Sequence, residues 1–164
     1  NGGVKVNPTL LVPTSKNNNQ RIFSEKTSLQ MRSIMRLVVN NKYGTAKKAN
    51  APGYVVGGKT GTAEKLNKSG GYSKKKNIAA FTAAFPMNKP RFVITIMIDN
   101  PKGQLKSFGY RDRTGGWVAA PVVKKIVTRI APILNIKPTL DSSKVLTENL
   151  IQYKIRGNKK GAEL

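Results

Sequence analysis

Lys59, Thr60, Gly61 and Thr62 follow directly on an apolar run at Val55 and Val56, and their types suit them to hold a ligand. The β-branched valines favour extended backbone, so the four residues are predicted to continue a strand toward a sheet edge. A glycine inside a strand marks a place where something else comes close. At Gly61 that visitor can be a second peptide, laid along the edge as an added strand and held by main-chain hydrogen bonds. Lys59 brings fixed positive charge, and the hydroxyls of Thr60 and Thr62 can bind a carboxylate or a carbonyl.

Other patterns in the chain point elsewhere. Gly53-Tyr54-Val55-Val56-Gly57-Gly58-Lys59-Thr60 satisfies the phosphate-loop spacing, and Thr95 to Ile98 ending in Asp99 resembles the strand that carries a magnesium-binding Asp in such proteins. That chemistry needs turn-forming residues backed by a helix N-terminus. Tyr-Val-Val is a poor turn, and Gly61, Gly70 and Gly71 make a poor helix. Ser73 to Lys76 fits Ser-x-x-Lys, and Ser15-Lys16-Asn17 fits Ser-x-Asn; the position and context of both point to chance.

The bulk composition narrows the classes. The 164 residues, 38% of them hydrophobic, suffice for one domain with a real core. Without Cys there are no disulfides, thiolate nucleophiles or zinc–cysteine sites, and without His the commonest general base is missing. No apolar run approaches eighteen residues, and no signal-peptide pattern stands at the start. Asn1 occupies the place of an initiator Met, which suggests a piece of a longer protein. The net charge of +23, from 30 basic and 7 acidic residues, attracts polyanions such as nucleic acid, anionic lipid or an acidic wall polymer. The lysines are scattered, with one tight run at Lys74, Lys75 and Lys76. Scatter of this kind favours a solvated basic surface, and no nucleic-acid-binding motif accompanies it.

The elements that must position the four residues can be read on either side. Thr27 and Gln30 form a capping-box signal for a helix over 28–40, with Met31, Ile34, Met35 and Val38 on one face. Residues 1–21 are predicted to form a short hairpin or irregular loop, and 41–53 a basic connection. After the first strand, 66–76 is predicted to be a long hairpin loop that includes Tyr72. Strands follow over 78–85 and 92–98, and their short connections make all three strands antiparallel neighbours. Residues 100–116 are predicted as surface loop. A second helix begins at Trp117, with Val118, Val122, Ile126 and Ile130 toward the sheet. Weak structure is expected beyond Pro132 and Pro138, so the predicted organisation is a domain portion over 1–138 and a tail over 139–164. The fold class is α+β, an antiparallel sheet with flanking helices.

With these elements in order, Lys59-Thr60-Gly61 resembles the Lys-Thr-Gly motif of penicillin-binding proteins and serine β-lactamases. Pro52-Gly53-Tyr54 before it, Pro90-Arg91-Phe92 between the later strands, and Thr114-Gly115-Gly116-Trp117-Val118-Ala119-Ala120-Pro121 at the last helix extend the likeness. It covers roughly residues 1–138 and is to the C-terminal part of class B peptidoglycan transpeptidases, especially those of cell division. The resemblance implies a penicillin-binding/β-lactamase-like transpeptidase fold and serine acyl transfer needing neither metal nor cofactor. Lys59 would set the positive field near the nucleophile. Thr60 and Thr62 would bind the terminal carboxylate, and the Thr62 N–H would be half of an oxyanion hole. Gly61 would keep the approach clear, and Tyr72 would border the pocket. Implied partners are peptidoglycan stem peptides, β-lactams as covalent inhibitors, the missing N-terminal part of the same protein and membrane proteins of the division complex. No specific nucleic acid is implied. The implied location is the periplasmic face of the bacterial inner membrane, with any anchor upstream. The family's acylated serine, in Ser-x-x-Lys upstream of Lys-Thr-Gly, has no counterpart here, so the chain alone is predicted to be inactive.

Overall fold

Ser24 starts the first helix: its Oγ accepts the Thr27 N–H at 3.1 Å, satisfying one of the donors a helix N-terminus leaves open. α1 therefore spans Glu25–Asn40, three residues longer than the Thr27 capping signal predicts. The computed structural model describes residues 2–10, 20–67, 70–102, 104–105, 111–140, 142 and 146 (backbone alone at 74, 75, 104, 105 and 111). Before α1, Val4 pairs with Arg21 in an antiparallel bridge, which agrees with the expected hairpin closure. Ser15-Lys16-Asn17 lies outside the described residues.

The main sheet has the order β1-β2-β3, all antiparallel: β1 Gly57–Leu66, β2 Tyr72–Phe85 and β3 Phe92–Asp99. The first two strands are longer at the hairpin end than expected. Residues 66–76 are not a long loop: the connection is 67–71, where Gly70 and Gly71 take φ of 88° and 75°, and Tyr72 pairs with Leu66 across a register shift. The three lysines lie in β2 on the irregular stretch between its Tyr72 and Asn77 pairings, despite their poor strand propensity. Val55 and Val56 are a buried lead-in to β1 and lie outside it.

In place of the predicted loop over 100–116 there is a two-stranded ribbon, β4 Gln104–Leu105 and β5 Arg111–Asp112, followed by one helical turn, α2, Gly115–Val118. α3 then spans Ala120–Ile133 with Pro121 in its first turn, where its missing N–H costs nothing. Its buried stripe is Ala120, Val123, Val127 and Ala131, one residue on from the expected face through Val118, Val122, Ile126 and Ile130, which is half-buried and of which Ile130 still packs against the core. The alanines explain the rotation, because small side chains let α3 come close to Phe81 and Phe85, which are fully buried in the same core cluster.

α1 is rotated as well. It buries Ser28, Ser33, Arg36 and Val39, while the expected core residues Met31 and Ile34 are exposed. The chain stays docked beyond Pro138: Thr139 N donates to Gly53 O at 2.8 Å, and Ser142 O accepts from Arg36 at 2.9 Å. Among the described residues no helix is long and apolar enough to cross a membrane.

Candidate functional site

β1 lies at the edge of the sheet, and Lys59 to Thr62 fall in its middle. They pair one for one with Thr82, Phe81, Ala80 and Ala79 of β2. Residues along a strand alternate in face, so Thr60 and Thr62 share the face of Phe81 and Ala79, on which α3 packs. Lys59 and Gly61 share the opposite face with Thr82 and Ala80. The phosphate-loop reading fails here: Gly57 to Thr60 enter a strand that runs on to Leu66, so no helix begins directly after them to meet a phosphate.

Each of the two threonines is engaged by a different element. Thr60 Oγ1 lies 3.1 Å from Thr45 Oγ1, in the loop after α1. Thr62 Oγ1 accepts the N–H of Gly115, the first residue of α2, at 3.3 Å. Lys59 Nζ donates to Thr60 O at 2.8 Å, so its charge lies along the strand edge. The turn that delivers Gly115 is held by Asn77 Nδ2, which donates to Arg113 O at 2.8 Å.

Two glycines make this junction possible. A Cβ at Gly115 would overlap the Ala80 carbonyl oxygen and sit 2.9 Å from Gly61 O. A Cβ at Gly116 would overlap the Thr45 carbonyl oxygen. Any larger residue would lift α2 off β1 and break the Gly115–Thr62 bond. Gly61 differs: a Cβ there would meet only Ala80 Cβ, at 3.8 Å. The protein's own packing leaves the space over Gly61 open.

Sequence reasoning missed Thr45, the Gly115 N–H and Arg36. The Arg36 guanidinium is fully buried beside the lead-in to β1. It donates to Val56 O at 2.8 Å, to Asn50 Oδ1 at 3.4 Å and to Ser142 O at 2.9 Å. Burial lowers its pKa from the ordinary arginine range to about 10, so it remains a cation at neutral pH, held by backbone carbonyls in place of a carboxylate. Only its spacing from Ser28 and Val39 could have signalled that this charge turns inward. Tyr72 is not brought to the threonines. It pairs with Leu66, four residues along β1 from Thr62, about 13 Å at strand rise, and its side chain is exposed.

An edge strand with an open glycine, backed by a helix-covered antiparallel sheet, is the architecture of a penicillin-binding transpeptidase fold. The transpeptidase domain of penicillin-binding protein 3 from Burkholderia pseudomallei matches with a TM-score of 0.61 and 35% identity, over 76% of this chain and 37% of that one. Penicillin-binding protein 3 of Mycobacterium tuberculosis, solved with ampicillin, matches with a TM-score of 0.61 and 31% identity, over 73% and 26%. The family model described as penicillin binding protein transpeptidase domain matches residues 1–128, and the chain belongs to that family. A probable peptidoglycan D,D-transpeptidase FtsI of Caulobacter vibrioides is 41% identical over 133 residues, 77% of this chain and 22% of the relative. Stage V sporulation protein D of Bacillus subtilis is 40% identical over 119 residues, 73% of this chain and 17% of the relative. The chain thus spans about a fifth of the length of the curated relatives it matches.

Proposed function

We propose that this chain is the C-terminal part of a peptidoglycan D,D-transpeptidase of the cell-division type, and that Lys59 to Thr62 form its substrate-binding strand. The observation that carries the reading is the open, extended edge at Gly61, flanked by two hydroxyls and one ammonium. A stem peptide ending in D-Ala-D-Ala lies along this edge as an added strand. A serine hydroxyl contributed from outside the chain attacks the penultimate carbonyl carbon. The C–N bond breaks, the terminal D-Ala leaves with a proton, and the amine of a neighbouring stem then releases the acyl group as a cross-link.

Each residue of the strand has a role in that sequence. Thr60 and Thr62 hold the terminal carboxylate, and the Lys59 ammonium lowers the cost of the negative charge arriving beside the serine. The Thr62 N–H is one of two donors to the oxyanion, and such a donor is worth about 10²-fold to 10³-fold in rate. Gly61 keeps side-chain bulk out of the ligand's path. Tyr72, at the far end of the hairpin, meets only distal parts of a long ligand. β-Lactams enter as mimics of the peptide terminus. The working location is the periplasmic face of the inner membrane, where the substrate is, with partners among division-complex membrane proteins.

A fluorescent penicillin tests the proposal. The full-length protein that carries this chain should take up covalent label, with Thr62→Ala slowing the uptake; the isolated chain should stay unlabelled. Label on the isolated chain would place the nucleophile inside it, and a full-length protein that takes up none would remove the transpeptidase reading.

A further inference from the structure

Thr45 lies outside every motif read from the sequence, fourteen positions before Lys59, yet its hydroxyl meets Thr60. Its backbone is fixed from two sides. Ala46 N donates to Val38 O at 3.0 Å, and Gly44 N to Asn41 O at 2.9 Å, which ties the loop to the end of α1. On the other side the Thr45 carbonyl is packed so tightly on Gly116 that no side chain fits between them. With its backbone pinned, Thr45 Oγ1 is held 3.1 Å from Thr60 Oγ1.

A hydroxyl has one proton to give and two lone pairs to receive. Thr62 receives the Gly115 N–H, and an amide cannot reverse its role, so the Thr62 proton is left for another acceptor. The Thr45–Thr60 pair has no such fixed direction, since either hydroxyl can donate. A carboxylate settles it. An ionised carboxylate only accepts, so Thr60 must donate to it, and Thr45 must then donate to Thr60. The chain Thr45 O–H to Thr60 O–H to carboxylate is polarised along its length, which strengthens its last bond.

We propose that Thr45 is a positioning residue for substrate: it donates to Thr60 as Gly115 donates to Thr62, so that both strand hydroxyls turn their protons to the ligand's carboxylate. This rests on the carboxylate reading of the preceding subsection and extends the site to the loop after α1. Thr45 acts through Thr60 and does not itself touch the reacting atoms. The effect is confined to ligands that carry a free carboxylate, which separates it from a contribution to folding.

The experiment measures second-order acylation constants of the full-length protein with a penicillin and with the methyl ester of the same penicillin. Thr45→Val, which keeps the shape and removes the hydroxyl, should slow the free acid by about threefold to tenfold, the worth of one neutral hydrogen bond, and leave the ester within about twofold. Thr45→Ser should restore the free acid to within about twofold of the parent protein. An equal loss for acid and ester would show that Thr45 only supports the strand, and no loss for the acid would show that it does nothing for the carboxylate; either result overturns the relay and leaves the transpeptidase reading standing. A parent protein that reacts with neither compound overturns both.

Discussion

On the α3 side of the sheet, Phe81 and Phe85 are sealed in one cluster with Val123 and Val127, whereas on the other side Val93 and Met97 are 72% and 68% exposed. The same strand supplies both surfaces. Phe92, Ile94, Ile96 and Ile98 of β3 turn toward α3, and Val93 and Met97 alternate with them on the far side. Thr95 and Asp99 also lie on that far side, so its apolar residues are Val93 and Met97. α1 covers only one end of the far face, leaving an apolar cleft of about 470 Å³ lined by Met31, Met35, Met87, Phe92 and Val93 among others. Lys59 and Gly61 share this unfinished face. The comparison teaches that β1 is folded against a complete core on the side of Thr60 and Thr62 and is left open on the side of Lys59 and Gly61. Phe81→Ala is the largest test. Phe81 pairs with Thr60 and is fully buried, so the substitution should cost about 3–5 kcal/mol in urea unfolding of the full-length protein. A loss below about 1 kcal/mol would mean that the α3 side is less tightly built than the other.

Arg36 marks the border between the two sides, because it reaches from α1 to the lead-in of β1 and to the segment beyond α3. Arg36→Met keeps much of the volume and removes the donors, leaving the Val56 and Ser142 carbonyls without them. The expected loss is about 1–3 kcal/mol. The pH dependence has a definite sign. The folded guanidinium has its pKa lowered by burial from the ordinary arginine range to about 10, so in the window above pH 10 the unfolded chain binds more protons. The parent protein should therefore gain stability relative to Arg36→Met as pH rises through that window. Matched urea midpoints above pH 10 read the difference directly, since the lysines common to both proteins cancel. A gap that stays constant or narrows as pH rises would refute the burial assigned to Arg36.

What the sequence disclosed follows the same division. Lys59 to Thr62 on a strand, the three strands and their order, and both principal helices were legible, because each depends on local pattern and on short connections. Contacts between distant elements were not. The start of α1 turned on whether Ser24 or Thr27 reaches the open N–H groups, a matter of geometry at one turn. Both buried helix faces were misjudged by side-chain size. In α3, large Ile126 and Ile130 outweighed the alanines that allow close approach. In α1, Met31 and Ile34 hid an inward-turned arginine whose partners lie 14 to 106 positions away. The strand at Lys74 to Lys76 lies in the irregular stretch between the Tyr72 and Asn77 pairings and went unseen by propensity. Thr45, likewise, becomes a site residue only once α1, α2 and β1 meet.

The exposed side offers the smallest effect and the most direct way to break the comparison. Val93→Ser and Met97→Ser replace side chains that are mostly in water in this chain, so each should change its unfolding free energy by less than about 0.5 kcal/mol. The isolated chain carrying both should bind less of a hydrophobic dye and stay soluble at higher concentration, because exposed apolar surface drives association. In the full-length protein the same pair should be destabilising, by about 1–3 kcal/mol for each side chain that the remaining chain covers. Equal, negligible effects in both settings would mean that the far face is a finished surface, and the asymmetry between the two sides would then say nothing about where the rest of the active site comes from.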